Sequence, residues 1–148
     1  IRLFVSGSAP LLPETFSAFE VLTGHVILER YGMTEAGMIT SNRLEGDRVA
    51  GTVGYPLPDV MVRVTDEVGT PLPTDEVGGL EVRGPNLFKG YWRNPEKTAK
   101  DMTEDGYFRT GDVGTIGSDG RVSLVGRSKD LIISGGLNVY PKEIETEI

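Results

Sequence analysis

Cysteine is absent from the 148 residues, and histidine occurs once. Without thiols there is no disulfide framework, no thiolate zinc site and no cysteine nucleophile, and one imidazole cannot form a histidine metal cluster. A chain free of thiols also fits a reducing compartment. No apolar run approaches the roughly 18 to 20 residues that cross a bilayer. The opening Ile1-Arg2-Leu3-Phe4-Val5 has no basic leader followed by a long apolar segment. Positive charge is scarce: 15 Lys+Arg against 22 Asp+Glu leave a net charge of −7, with no long basic run. Nucleic acid and anionic membranes both need concentrated positive potential, so neither is the expected partner. What remains is an ordinary globular composition with 38% hydrophobic residues. Its length suffices for one core, or for one small domain with pieces of its neighbours.

Turn formers, by contrast, are plentiful. Gly 20 and Pro 9 recur without a repeat period, which predicts many short elements joined by tight turns. Leu3-Phe4-Val5 reads as a short strand stopping at Ser6-Gly7-Ser8. Pro13 opens a helix in which Phe16, Phe19 and Leu22 recur at three-residue spacing, and Gly24 closes it. Val26-Ile27-Leu28 follows as a second buried strand. Two apolar strands separated by one helix imply a right-handed crossover and a parallel pair. The loop 6–9 and the segment 29–35, read as a second loop, then lie side by side at the carboxyl edge of the sheet, where open α/β sheets bind ligands.

From Gly51 the pattern becomes antiparallel. Val60, Val62 and Val64 alternate with Met61, Arg63 and Thr65; Leu80 and Val82 alternate with Glu81 and Arg83; Ser118-Asp119-Gly120 separates strands around Ile116 and Val122 to Val125. This predicts a barrel-like or meander region, interrupted by a short helix that Asn94 caps and Pro95 starts. Ser128-Lys129-Asp130 is a candidate domain boundary. Beyond it lie a strand at Leu131-Ile132-Ile133, a flexible Ser134-Gly135-Gly136 loop, and a helix from Pro141 with Ile144 and Ile148 on one face. The chain begins without Met and ends inside that helix, so both ends are expected to be cuts through a longer protein.

Three glycine-rich polar loops could hold a phosphate: Ser6-Gly7-Ser8, Tyr31-Gly32-Met33-Thr34-Glu35 and Ser134-Gly135-Gly136. None has the glycine spacing and lysine of a Walker loop or a dinucleotide fingerprint. Thr34-Glu35 offers a hydroxyl and a carboxylate suited to a phosphate and a hard divalent cation, or it starts a helix with Thr34 as the cap. Asp112 could accept both hydroxyls of a ribose, or serve as a turn aspartate.

In order along the chain stand Tyr31-Gly32-Met33-Thr34-Glu35, Gly51-Thr52-Val53-Gly54, Gly90-Tyr91-Trp92, Thr110-Gly111-Asp112, Gly126-Arg127-Ser128-Lys129-Asp130 and Ser134-Gly135-Gly136. This series resembles the adenylate-forming superfamily of acyl-CoA synthetases, peptide-synthetase adenylation domains and beetle luciferase, and it covers essentially the whole chain. The resemblance implies an α/β plus β architecture. Residues 1–48 would be the end of a parallel α/β adenylate-binding subdomain, 49–127 an antiparallel β-barrel-like subdomain, and 128–148 the hinge and start of a small α+β C-terminal lid. It further implies that Tyr31 stacks on adenine, with Gly7, Ser8 and Ala9 lining the other side of the purine and Gly32 and Met33 belonging to the nucleotide segment. Thr34 would meet the adenylate phosphate and Glu35 a magnesium ion. Asp112 and Arg127 would hold the ribose hydroxyls, Lys129 would be the lid hinge, and Gly135-Gly136 would border the channel of the coenzyme A thiol arm.

The implied chemistry uses ATP, Mg2+ and coenzyme A: a carboxylate forms an acyl-adenylate, and the thiol then displaces AMP. The lysine-bearing phosphate loop and the lid lysine of the family are not in this chain, so it is expected to be inactive alone and to require the rest of the parent. Arg30, just before Tyr31, stands where fatty-acyl and aryl members carry small or apolar residues. A guanidinium there can grip a second carboxylate, with Ser6 and Ser8 as weaker candidates, or else it pairs with Glu29 or another surface acid. The segment Leu28 to Glu35, with Ser6-Gly7-Ser8-Ala9-Pro10-Leu11, looks most like the malonate-activating members, and methylmalonate is a second candidate acid. Medium- or long-chain fatty acids, a carrier protein in place of coenzyme A, and a non-catalytic scaffold that keeps the fold are the alternatives. His25 is expected to be structural. ATP and coenzyme A imply the cytoplasm, or the mitochondrial matrix in a eukaryote.

Overall fold

The computed structural model describes residues 1–130, 132–134, 137–139 and 141. β1 (Val5–Ser6) leads through a loop into α1 (Pro13–Thr23) and back to β2 (Leu28–Met33), which lies parallel to β1 with Val5 opposite Leu28 and Ser6 opposite Glu29. The expected parallel pair therefore forms. α1 starts at its proline and ends at Gly24, whose left-handed φ of 69° lets its N–H reach the Glu20 carbonyl at 2.8 Å. Phe16 is buried and Phe19 packs edge-on against Phe4 at 4.8 Å, but Leu22, expected beside them, is 82% exposed. Steps of three residues each fall about 60° short of a full turn, so Leu22 has drifted about 120° round the helix from Phe16. His25 lies against the Phe4 ring at 5.2 Å.

β2 corrects the sequence reading in two ways. It begins at Leu28 rather than Val26, and it continues through Glu29, Arg30, Tyr31, Gly32 and Met33, which were expected in a loop. The reason is a partner the sequence pattern concealed. Thr34, Glu35 and Ala36 make a tight turn, in which the Ala36 N–H donates to the Met33 carbonyl, so no helix starts at Thr34. The chain returns as β3 (Gly37–Ser41), antiparallel to β2, and β3 in turn pairs with β4 (Tyr55–Pro56). The ladder shifts register between Tyr31 and Gly32. At that shift a Cβ on Gly32 would stand 2.3 Å from the Gly37 carbonyl oxygen, against backbone that cannot swing aside. Gly32→Ala is accordingly expected to cost at least the roughly 1 to 3 kcal/mol of an overpacked core; an unchanged denaturation midpoint would contradict this close approach.

The second sheet is a meander in sequence order, β5 (Met61–Thr65), β6 (Gly78–Arg83), β7 (Phe108–Ile116) and β8 (Val122–Arg127), all neighbours antiparallel. Among the described residues it does not close into a barrel: β5 and β8 remain edges, because successive hairpins pair each strand only with its neighbours. Its apolar face meets the first sheet instead, and Tyr31, Ala36, Ile39, Val53, Val64, Leu80, Val82 and Val122 share one core. Glu81, expected to face outward, is 2% exposed and is held by Arg63 at 2.7 Å and Arg109 at 3.5 Å. α2 (Pro95–Asp101) starts as expected, with the Asn94 side chain accepting from the Lys97 N–H at 3.1 Å. After a short 3-10 turn (Ser128–Asp130), β9 (Ile132–Ser134) pairs with β10 (Leu137–Val139), and Pro141 is helical. Ile144, Ile148 and the glycines 135 and 136 lie outside the described residues. Among the described residues no helix is long and apolar enough to cross a membrane.

Candidate functional site

The site forms where the carboxyl end of the β1/β2 pair faces the middle of β7 and the end of β8. Ser6, Ser8 and Ala9 from the first loop, Arg30 and Tyr31 from β2, and Asp112 and Arg127 from the second sheet line a cleft of about 240 Å3. The two sheets thus bring together seven residues that lie far apart in the chain.

At the floor of the cleft, Tyr31 is 7% exposed and its hydroxyl donates to Asp112 Oδ2 at 2.5 Å, across 81 residues of sequence. Burial first, and then the charge of Asp112, raise the phenol far above its ordinary range, so it stays a neutral donor. Asp112 stands directly opposite Arg127 in the β7/β8 ladder, and Arg127 Nε lies 2.9 Å from Asp112 Oδ1. Both carboxylate oxygens of a 6% exposed residue are therefore engaged, one by the phenol hydroxyl and one by the guanidinium. A ring platform, a carboxylate and a cation are locked into one rigid unit.

Arg30 has a different setting. Successive strand residues point to opposite faces, so Glu29 turns inward, where it is 4% exposed and accepts from the Gly51 N–H at 3.2 Å, while Arg30 is exposed. The Arg30–Glu29 pair weighed from sequence does not form. Among the described residues the Arg30 guanidinium meets no carboxylate. It rises past Gly7, where a Cβ would come within 3.3 Å of the Arg30 carbonyl oxygen and 3.4 Å of its Cγ. From there it borders both the cleft and a wider recess of about 430 Å3 shared with Gly7, Ser8, Met33 and Met38.

The profile described as AMP-binding enzyme matches residues 1–92. The chain belongs to that family. It is 44% identical over 149 residues to a malonate–CoA ligase of Arabidopsis thaliana, covering 100% of this chain and 24% of the relative. A long-chain-fatty-acid–CoA ligase of Yersinia pestis is 40% identical over 146 residues, covering 98% of this chain and 26% of the relative. The crystal structure of ATP-bound MatB from Rhodopseudomonas palustris superposes with a TM-score of 0.96 at 59% identity, covering 99% of this chain and 29% of that one. The chain thus spans about a quarter of the length of the curated relatives it matches.

The remaining residues expected of an AMP-binding enzyme are spread more widely. Thr34 and Glu35 sit in the turn beyond β2, outside the lining of the cleft. Thr34 is exposed; the Glu35 carboxylate is half-buried and accepts from the Tyr91 hydroxyl at 3.0 Å. Lys129 is exposed in the 3-10 turn, while its neighbour Asp130 reaches the cleft. Gly135 and Gly136 lie outside the described residues. Asp130 and Tyr91 carry no role in the sequence reading. Asp130 had a signal in its place three residues after Arg127, and Tyr91 stood in the Gly90-Tyr91-Trp92 motif. What the sequence could not show was which groups they approach.

Among the described residues no three His, Cys, Asp or Glu side chains gather as a metal cluster. Glu35 nonetheless fits one magnesium ion of the nucleotide-bridging kind. It is a hard oxygen donor with no cationic partner among the described residues, and such ions take one or two carboxylates and complete their shell with phosphates and water.

Proposed function

We propose that the protein to which this chain belongs is an ATP-dependent acid–thiol ligase that activates malonate, with methylmalonate as a second acid, and transfers the acyl group to coenzyme A. The observation that carries the choice of acid is the Arg30 guanidinium, which meets no carboxylate among the described residues, beside Gly7 at the mouth of the cleft. Overall similarity extends to both a malonate and a long-chain ligase, so the distinction rests on this residue. A fixed guanidinium takes a carboxylate through two parallel hydrogen bonds, whereas an alkyl tail would leave the charge desolvated and unpaired. Ser6 and Ser8 supply hydroxyls to the same carboxylate.

In this reading the nucleotide lies in the cleft with its purine between Tyr31 and the Gly7-Ser8-Ala9 loop and along Gly32 and Met33. Asp112 accepts from the ribose hydroxyls and Arg127 donates to them. Thr34 donates to the α-phosphate. Glu35 would hold Mg2+, which when bound neutralises charge on the phosphates. One oxygen of the acid attacks the α-phosphorus, the new P–O bond forms as the bond to pyrophosphate breaks, and an acyl-adenylate results. The thiol sulfur of coenzyme A then attacks the acyl carbon, loses its proton, and AMP leaves with the bonding electrons. Much of the acceleration is electrostatic, from donors held in place before charge develops. Residues 1–48, 49–127 and 128–148 are assigned to the α/β subdomain, the β-rich subdomain and the start of the lid, with Lys129 as the hinge and Gly135-Gly136 beside the thiol channel. Such an enzyme works where ATP and coenzyme A are supplied, the cytoplasm or a mitochondrial matrix.

The test is carboxylate-dependent ATP–pyrophosphate exchange by the full-length protein with malonate, methylmalonate, acetate, succinate and octanoate side by side. Malonate is expected to lead by orders of magnitude, and the 148-residue chain alone to give no exchange. Preference for octanoate would favour the fatty-acid reading, and silence with every acid a scaffold.

A further inference from the structure

Tyr91 belongs to the Gly90-Tyr91-Trp92 motif, to which the reading above gives no task. Its hydroxyl donates to Glu35 Oε1 at 3.0 Å, from a residue 56 positions further along the chain. Everything around the ring fixes that contact. The Tyr91 N–H donates to Thr98 Oγ1 at 2.9 Å, tying the loop to α2. Phe88 meets the ring edge-to-face at 4.8 Å and is itself packed at 5.3 Å against Phe108, which is 1% exposed. Lys97 Nζ stands 4.8 Å over the ring, and Asp101 holds Lys97 in turn at 2.5 Å. The Phe88 N–H donates to the Glu35 carbonyl at 2.7 Å, so the same loop grips both the backbone and the side chain of Glu35.

A carboxylate on a tight turn would otherwise rotate freely about its last bonds. With Oε1 occupied, Oε2 is left without a protein partner among the described residues and has one defined direction. We infer that Tyr91 is a positioning residue, which orients the Glu35 carboxylate so that Oε2 faces the cation of the nucleotide complex. This rests on the assignment of Glu35 as the cation's carboxylate. Outer partners of metal ligands fix the ligand's orientation, and their loss typically weakens metal affinity about 10- to 100-fold.

Mn2+ is the probe, titrated into the full-length protein with ATP and followed as free Mn2+ by electron paramagnetic resonance, so that no turnover enters the readout. Tyr91→Phe is expected to weaken Mn2+ binding about 10- to 100-fold and to leave ATP binding without metal unchanged. Glu35→Gln is expected to weaken it as well, and the double variant to be no weaker than Glu35→Gln alone. Three results would overturn the inference. Mn2+ affinity of Tyr91→Phe within about twofold of the parent, beside a weakened Glu35→Gln, removes Tyr91 alone, and a lowered Tm with unchanged Mn2+ affinity marks a merely structural hydroxyl. Full additivity of the two substitutions shows that Tyr91 does not act through Glu35. If Glu35→Gln itself binds Mn2+ normally, the cation assignment falls with it, while malonate-dependent exchange would still stand.

Discussion

Replacing Arg30 with leucine in the full-length protein should raise KM for malonate roughly 100-fold and leave KM for ATP within a few-fold. A hydrogen-bonded contact to a charged group contributes about 1.5 to 3 kcal/mol, and each 1.4 kcal/mol is a factor of ten. Three features of the structure put Arg30 in a position to make that contact: its exposure on β2, the inward turn of Glu29, and the missing side chain at Gly7 that lets the stem pass. ATP is spared because its adenosine contacts are expected at Tyr31, Asp112 and Arg127, and Tyr31 turns to the opposite face of β2 from Arg30. Steady-state kinetics with each substrate varied in turn decides the matter. Equal losses for malonate and ATP would mean that the leucine deforms β2, and no loss for malonate would make Arg30 a surface cation. A gain for octanoate in the variant would show in addition that the guanidinium repels alkyl acids.

Asp112→Asn is expected to raise KM for ATP by about 30-fold, roughly 2 kcal/mol, with little effect on malonate. The carboxylate accepts from Tyr31 with one oxygen and from Arg127 with the other, and it must still meet a ribose. An amide keeps a single acceptor, so one of those donors then faces an NH2 group. The variant should also lose discrimination between ATP and 2′-deoxy-ATP, since the hydroxyl that distinguishes them is the one the carboxylate would accept from. Competition between the two nucleotides in the exchange assay measures this directly. If the variant weakens both nucleotides equally and keeps their ratio, Asp112 supports the Tyr31 ring and does not touch the sugar.

Both predictions depend on residues that were visible in the sequence and on contacts that were not. α1 was legible because proline and glycine punctuate it, and the meander because apolar and polar residues alternate and Ser118-Asp119-Gly120 is a turn former. The course of β2 was not. Tyr31-Gly32-Met33 reads as a loop when glycine is taken as a breaker, yet the glycine is there because β3 approaches too closely for any side chain. Leu22 looked like core because three-residue spacing resembles a helical face over one step and departs from it over two. Glu81 looked like a surface residue because alternation cannot tell which outward positions will be covered by two arginines.

Composition and motif order by themselves determined the family, the parallel crossover at the start, the antiparallel texture that follows, and the exclusion of thiol and histidine-cluster chemistry. These depend on residue type and local spacing, which the chain carries in one dimension. Tertiary structure alone decided that Tyr31 and Asp112 share a proton donor and acceptor, that Arg30 and Glu29 part to opposite faces, and that Tyr91 reaches Glu35. Each of these depends on a strand register or a packed core. Because one residue of slip turns every side chain to the other face, such pairings exist only once the sheets have closed on each other.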